Sequence, residues 1–138
     1  MPEKSTRTQS VVPYLVYEDT PKALDFLCKT FGFKELTRVS REDGTIMHAE
    51  VEHEGNVIML GTPVDKNGKV KNLKLPANAP QRYSTMCYVA DVRGHYAHAK
   101  AAGANITIEP QERSHGEEMY AAVDPEGHAW YFSTYHGG

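Results

Sequence analysis

The sequence predicts an α+β fold in which two paired βαβββ modules set curved mixed sheets around a cleft. Three observations carry this. An internal repeat lays residues 51–60 over 123–132 and residues 12–19 over 84–91, both at an offset of 72. Two helical stretches each follow an apolar, strand-like run, and their apolar residues return at helical spacing. Each unit then breaks into strands at Gly-containing turns. The sharpest is Asp124-Pro125-Glu126-Gly127, where Pro fixes one dihedral and Gly permits another.

The first strand, Val11 to Tyr17, leads to Thr20 as N-cap and Pro21 at the first helical position. The helix runs to Phe31 with Ala23, Leu24, Leu27, Cys28 and Phe31 on one buried face and Phe26 at its border. Gly32 ends it by offering the left-handed conformation. Phe33 to Ser40 is the second strand, and Arg41-Glu42-Asp43-Gly44 a turn. In the third strand, Thr45 to His53, Met47, Ala49 and Val51 point one way and His48, Glu50 and Glu52 the other. Glu54-Gly55 then turns the chain into Asn56 to Leu60.

The second module repeats the order: strand Tyr83 to Val89, Asp91 as N-cap, and helix Val92 to Ala102 ended by Gly103. Strand Ala104 to Glu109, loop Pro110 to Gly116, strand Met119 to Asp124 and strand His128 to Thr134 follow, giving eight strands and two helices. One domain over 11–135 is expected, with modules 11–60 and 82–135, a flexible tail at 1–10 and another tail at 136–138. The connector 61–81 carries Asn67-Gly68, three prolines and lysines at 66, 69, 71 and 74. It exceeds the usual connection of roughly 4–6 residues, so it is either an ordered functional loop or a mobile crossover.

A chain of 138 residues suffices for one core. Its net charge of -3 supplies no concentrated positive footprint, which argues against a nucleic-acid partner. Cys28 and Cys87 share no metal-like spacing and sit in apolar stretches, as reduced buried thiols do. No run reaches membrane-spanning length and Met1 to Ser10 has no apolar targeting core, so a soluble cytoplasmic protein without a membrane partner is expected.

With helices on one side of each sheet, strand alternation assigns Leu15, Tyr17, Ile58, Leu60, Trp130 and Phe132 to the helix side. Val12, Tyr14, Val16, Val57 and Met59 then face the concave side in the first module. Ser84, Met86, Tyr88, Ala129, Tyr131 and Ser133 do so in the second. Such walls suit a flat or apolar organic molecule, which gains from burial and ring stacking while hydroxyls orient its polar atoms. The alternative is two sheets closing on each other as packed core. His48 and Glu50, two apart on one strand, form either an acid/base pair or a hydrogen-bonded pair at the cleft rim. Their repeat equivalents at the offset of 72 are Tyr120 and Ala122, so whatever this pair does occurs once per chain. His115-Gly116-Glu117-Glu118 is a loop that either holds a ligand or faces solvent. His95 and His98 lie at the polar boundary of the second helix, and His128 and His136 read as structural or exposed. No nucleotide-binding glycine loop, nucleophile elbow or zincin sequence occurs.

The ordered set Val12-Pro13-Tyr14-Leu15-Val16-Tyr17, Phe31-Gly32-Phe33, His48-Ala49-Glu50, Tyr88-Val89-Ala90-Asp91-Val92, Ala101-Ala102-Gly103-Ala104 and Asp124-Pro125-Glu126-Gly127-His128 resembles the vicinal-oxygen-chelate superfamily. That superfamily includes glyoxalase, bleomycin-resistance and extradiol-dioxygenase proteins. The resemblance spans Val11 to Tyr135, and the His-Ala-Glu segment is similar to a small branch related to a phosphonate-operon protein. It implies paired modules and a homodimer. The family's metal ligands would fall on Val12, Met59, Ser84 and Tyr131, none a good donor to a divalent ion, so no metal or cofactor is expected. Where that branch carries an Asp-Arg pair, this chain has Glu117-Glu118.

The expected function is metal-free binding of an aromatic or apolar small molecule, such as a drug or metabolite. Its contacts would be Tyr14, His48, Glu50, Met59, Ser84, Met86, Tyr88, Tyr120 and Tyr131. The alternative is a lyase or isomerase with His48 as base, Glu50 as its partner and Tyr131 as donor to developing charge, with or without a displaced metal site.

Overall fold

The computed structural model describes residues 9–76, 79–113 and 116–135. Of the tail expected at 1–10, residues 1–8 lie outside the described residues, as do the tail at 136–138 with His136, and His115. Each sheet has four strands. The first, built from β1 (Tyr14–Val16), β2 (Lys34–Ser40), β3 (Ile46–His53) and β4 (Asn56–Gly61), has the order β1-β4-β3-β2. The second, from β5 (Ser84–Tyr88), β6 (Asn105–Glu112), β7 (Glu118–Val123) and β8 (Ala129–Ser133), has the matching order β5-β8-β7-β6. In each, the first and last strands pair in parallel and the other neighbours run antiparallel. Helices α1 (Thr20–Phe31) and α2 (Val92–Ala101) provide the crossovers.

Four local expectations need correction. Asp19, not Thr20, caps α1: its carboxylate accepts from the Lys22 backbone N–H at 3.1 Å, while Thr20 turns inward with its Oγ1 2.7 Å from Thr62 Oγ1. Met47 leaves the core face. Pairing jumps from Val39↔His48 to Ser40↔Ile46, so Met47 is the extra residue of a β-bulge, and Ile46 is buried in its place. The loop expected from Pro110 is strand as far as Glu112. Because β6 is an edge strand, a residue without an N–H costs it no ladder bond, and the register shift between Ile108 and Gln111 straddles the proline. His95 is half-buried at the contact between the modules rather than on the surface.

Leu15, Tyr17, Ile58, Leu60, Trp130 and Phe132 are all buried, as alternation predicts. They join α1 and α2 in a single core that spans both modules, with Phe31 of α1 packed edge-on to Phe132 at 4.7 Å. Polar bonds lock the same contact. The buried Asp124 carboxylate accepts from Tyr17 Oη at 2.6 Å and Trp130 Nε1 at 3.1 Å, and Glu126 accepts from the backbone N–H groups of Glu18 and Asp19. Four histidines reach across it. His53 bonds the Tyr88 carbonyl, His128 the Val16 carbonyl, and His95 and His98 the Phe31 and Lys29 carbonyls at the end of α1. A carbonyl only accepts, so Nε2 carries the proton in each. In the connector, Val64 pairs with Val70 around a turn held by Asp65, and Leu73 N–H donates to Glu18, so this part is an ordered loop.

Candidate functional site

Strand register builds the helix-free face of the first sheet. Tyr14 on β1 stands beside Met59 on β4, Met59 beside Glu50 on β3, and Glu50 beside Thr37 on β2. One pleat along β3 sits His48, whose Nε2 lies 2.9 Å from Glu50 Oε2. The Glu50 side chain is only 14% exposed and that of His48 28%. The Tyr14 ring lies 5.9 Å from the imidazole, centroid to centroid. Gly61 makes this possible. A Cβ there would come within 2.9 Å of the Tyr14 hydroxyl and 2.6 Å of the Met47 carbonyl, so only glycine leaves room for the ring. Sequence reasoning passed over Gly61, which merely follows the expected end of the strand.

The second face is made in the same way. Ser84, Met86 and Tyr88 on β5 stand beside Ala129, Tyr131 and Ser133 on β8, and these beside Val123, Ala121 and Met119 on β7. A cavity of about 430 Å³ opens here, lined by Ser84, Tyr131, Ile108, Val123, Ala129 and Tyr83, with Arg82 at its lip. A groove of similar volume follows β1 from Val11 to Val16 and is closed by Tyr83 and His128. Tyr83 therefore borders both. It precedes β5, so face alternation gave no reason to select it.

Of the sequence-selected residues, Tyr14, His48, Glu50 and Met59 gather on the first sheet. Ser84, Met86, Tyr88 and Tyr131 gather on the second. Tyr120 joins neither. It is fully buried on the helix side, stacked on Phe132 at 5.2 Å and donating to His95 Nδ1 at 2.6 Å. The cause is one residue. Glu50↔Met59 brackets eight residues of hairpin, whereas Ala121↔Tyr131 brackets nine, so the offset of 72 holds on β8 but drops to 71 on β7. A slip of one residue exchanges the faces of a strand. The structural counterparts of His48 and Glu50 are thus Met119 and Ala121, both buried.

The sealed-core alternative fails as well. Both sheets turn their helix sides to one shared core, so their helix-free faces point away from it. Tyr14 is 51% exposed, Met86 50% and Tyr88 44%. Only part of each face is covered, as at Val57, whose backbone is bonded by the Gln9 amide, and at Ser133. Burial raises the thiol pKa of Cys28 and pushes that of Cys87 up to about 12, and both cysteines are unpaired.

Two four-stranded mixed sheets, each with a crossover helix and an open helix-free face, define a duplicated βαβββ protein. Residues 9–132 match the family model of the Glyoxalase/Bleomycin resistance protein/Dioxygenase superfamily, and the chain belongs to that superfamily. An uncharacterized Mycobacterium bovis protein is 30% identical over 118 residues, covering 86% of this chain and 78% of that one. The crystal structure of TioX from Micromonospora sp. ML1 superposes with a TM-score of 0.71 at 29% identity, over 91% of this chain and 98% of that one. FosX, a fosfomycin resistance protein of Listeria monocytogenes, shares the fold with a TM-score of 0.69 at 14% identity, over 94% of this chain and 95% of that one. Among the described residues no helix is long and apolar enough to cross a membrane.

The superfamily's metal chemistry does not fit the donors present. Val12, Met59, Ser84 and Tyr131 offer no carboxylate or imidazole where the resemblance places ligands. Among the described residues no group of three His, Cys, Asp or Glu converges elsewhere.

Proposed function

We propose that the protein binds a flat aromatic or otherwise apolar small molecule, without a metal, in a cleft shared between two copies of the chain. The observation that carries this is the pair of open faces on opposite sides of one core. A monomer leaves Tyr14 and Val16 on one face, and Met86 and Tyr88 on the other, in water. Contiguous apolar surface of this kind marks an interaction site. A homodimer that sets the first face of one copy against the second face of the other supplies a cleft walled by Tyr14, Met59, Met86, Tyr88 and Tyr131. His48, Glu50 and Ser84 would orient polar atoms in it. The free thiols Cys28 and Cys87 fit a cytoplasmic location, and His48-Ala49-Glu50 supports placement in the small phosphonate-operon-related branch. We treat residues 11–135 as one domain.

Light scattering and fluorescence titration with planar aromatic probes test this. Dimer-sized mass and saturable binding are expected, both lost in Met86→Asp. A monomeric protein that binds no planar probe overturns it.

The 2.9 Å contact between His48 and Glu50 favours a second reading, a lyase or isomerase in which His48 takes a proton, Glu50 stabilises the imidazolium and Tyr131 donates to the developing charge. A turnover signal abolished by His48→Ala at unchanged stability would favour it over binding alone.

A further inference from the structure

The cavity on the second sheet owes its shape to two neighbouring rows of residues. Strand pairing sets Ser84 beside Ala129 and Ala129 beside Val123; one pleat further along it sets Met86, Tyr131, Ala121 and Ile108 in line. Ala129 and Val123 are small and form a floor, with Tyr131 and Ile108 as walls beside it. In β6 the pairing jumps from Ile106 to Ile108, which leaves Thr107 as the extra residue of a β-bulge. A bulge re-aims a side chain, and Thr107 joins the lining.

Every polar side chain around this floor carries a donor. Among the described residues no Asp or Glu lines the cavity, and Arg82 at its lip is the one group there that is ionised at neutral pH. Its guanidinium makes no hydrogen bond or ion pair with another described residue. The Ser84 and Tyr131 hydroxyls are also without a partner among the described residues, and the Tyr83 hydroxyl, which accepts from Thr85 Oγ1 at 3.2 Å, keeps its own proton to give.

One cation among hydroxyl donors, beside apolar walls, favours an anion over a neutral or cationic group. A planar guanidinium meets a planar carboxylate with two parallel bonds. One positive charge also balances one negative charge, whereas a phosphate dianion would leave half of its charge unmatched. Resting on the small-molecule reading above, we infer that the ligand is an aromatic carboxylic acid. Its ring lies against Tyr131 and Ile108, and its carboxylate reaches the lip of the cavity, where Arg82 pairs with it and the Ser84 and Tyr83 hydroxyls donate to it.

Calorimetric titration of the full-length chain with three naphthalene probes tests this: naphthoate as acid, naphthamide as its neutral counterpart and naphthyl phosphate as dianion. Naphthoate is expected to bind most tightly and to weaken with added salt. Arg82→Gln should cost it about tenfold in affinity, the lower end for a hydrogen bond to a charged group because Arg82 is exposed, and leave naphthamide unchanged. Thr107→Glu, an exposed change that adds an acid to the same lining, should weaken naphthoate in the same direction. Unfolding midpoints measured alongside show whether each variant is folded. Naphthoate affinity unmoved by both variants, or either other probe bound more tightly than naphthoate, overturns the inference while leaving the cleft intact. Failure of all three probes overturns the cleft reading and this inference with it.

Discussion

Tyr120 decides between two registers of the second hairpin. At the repeat offset it is the counterpart of His48 and belongs in the cleft; in the observed pairing it is core, opposite Phe132. Tyr120→Phe keeps the ring and its stacking but removes the O–H that donates to His95 Nδ1, leaving a half-buried acceptor without that partner. The expected loss is about 1–2 kcal/mol. Tyr120→Ala also removes the ring from between Phe132 and Tyr96 and should cost about 3–5 kcal/mol. For a chain of this size each kcal/mol lowers Tm by roughly 3–5 °C. Urea unfolding followed by the fluorescence of Trp130, the sole tryptophan and fully buried, reads these losses directly. Planar-probe affinity should not change in Tyr120→Phe. If that variant keeps its unfolding midpoint and loses probe affinity, the ring faces the ligand and the register drawn here is off by one residue.

Three further outcomes are expected. Gly61→Ala should destabilise by about 1–3 kcal/mol and weaken probe binding, because its Cβ meets the Met47 carbonyl and displaces Tyr14; wild-type behaviour in both measurements would refute the close approach. Burial holds the His95 imidazole below its ordinary 6.5, so the unfolded chain takes up the proton first. The stability this group contributes is complete above 6.5 and is lost as pH falls through the lower folded value. The fall of Tm between about pH 7.5 and 5 should therefore be shallower in His95→Gln, and parallel curves would contradict this. With Cys87 raised to about 12 and Cys28 also raised, the native protein should react slowly with Ellman's reagent and expose two thiols on unfolding. Labelling of the native protein at a free-thiol rate would refute it.

The fold was legible because its signals are local. Residues 12–19 and 84–91, the Asp91 cap of the second helix, Gly32 at the end of the first, and the alternation that buries Leu15 and Tyr17 can all be read without knowing what they touch. Hairpin register was not. In the first hairpin Glu54 and Gly55, with φ of 49° and 85°, close a two-residue turn of the primed kind. In the second, Asp124 accepts from the Glu126 and His128 backbone N–H groups and holds a longer loop. Both occupy similar lengths of sequence, so the added residue is invisible until β7 and β8 are paired. The site was legible in halves for a related reason. Alternation places Tyr14, His48, Glu50 and Met59 on one face, but which face of the other module they meet depends on how the modules dock.

That docking rests on polar bonds with no local signature. Asp124, Glu126 and the histidines at 53, 95, 98 and 128 bind atoms 64 or more positions away or, at 53, 35 away, so no sequence window contains both partners. Their chemistry favours a fixed angle. Each imidazole donates its Nε2–H to one backbone carbonyl, and His95 is held at both ring nitrogens because its Nδ1 also accepts from Tyr120. The clasp holds the helix sides together and by the same act holds the helix-free faces apart. A cleft using both faces then requires a second chain, and any ligand that bridges them must couple its affinity to association. Probe affinity should accordingly rise with protein concentration until dimer dominates, whereas a site complete on one sheet would show one affinity at every concentration.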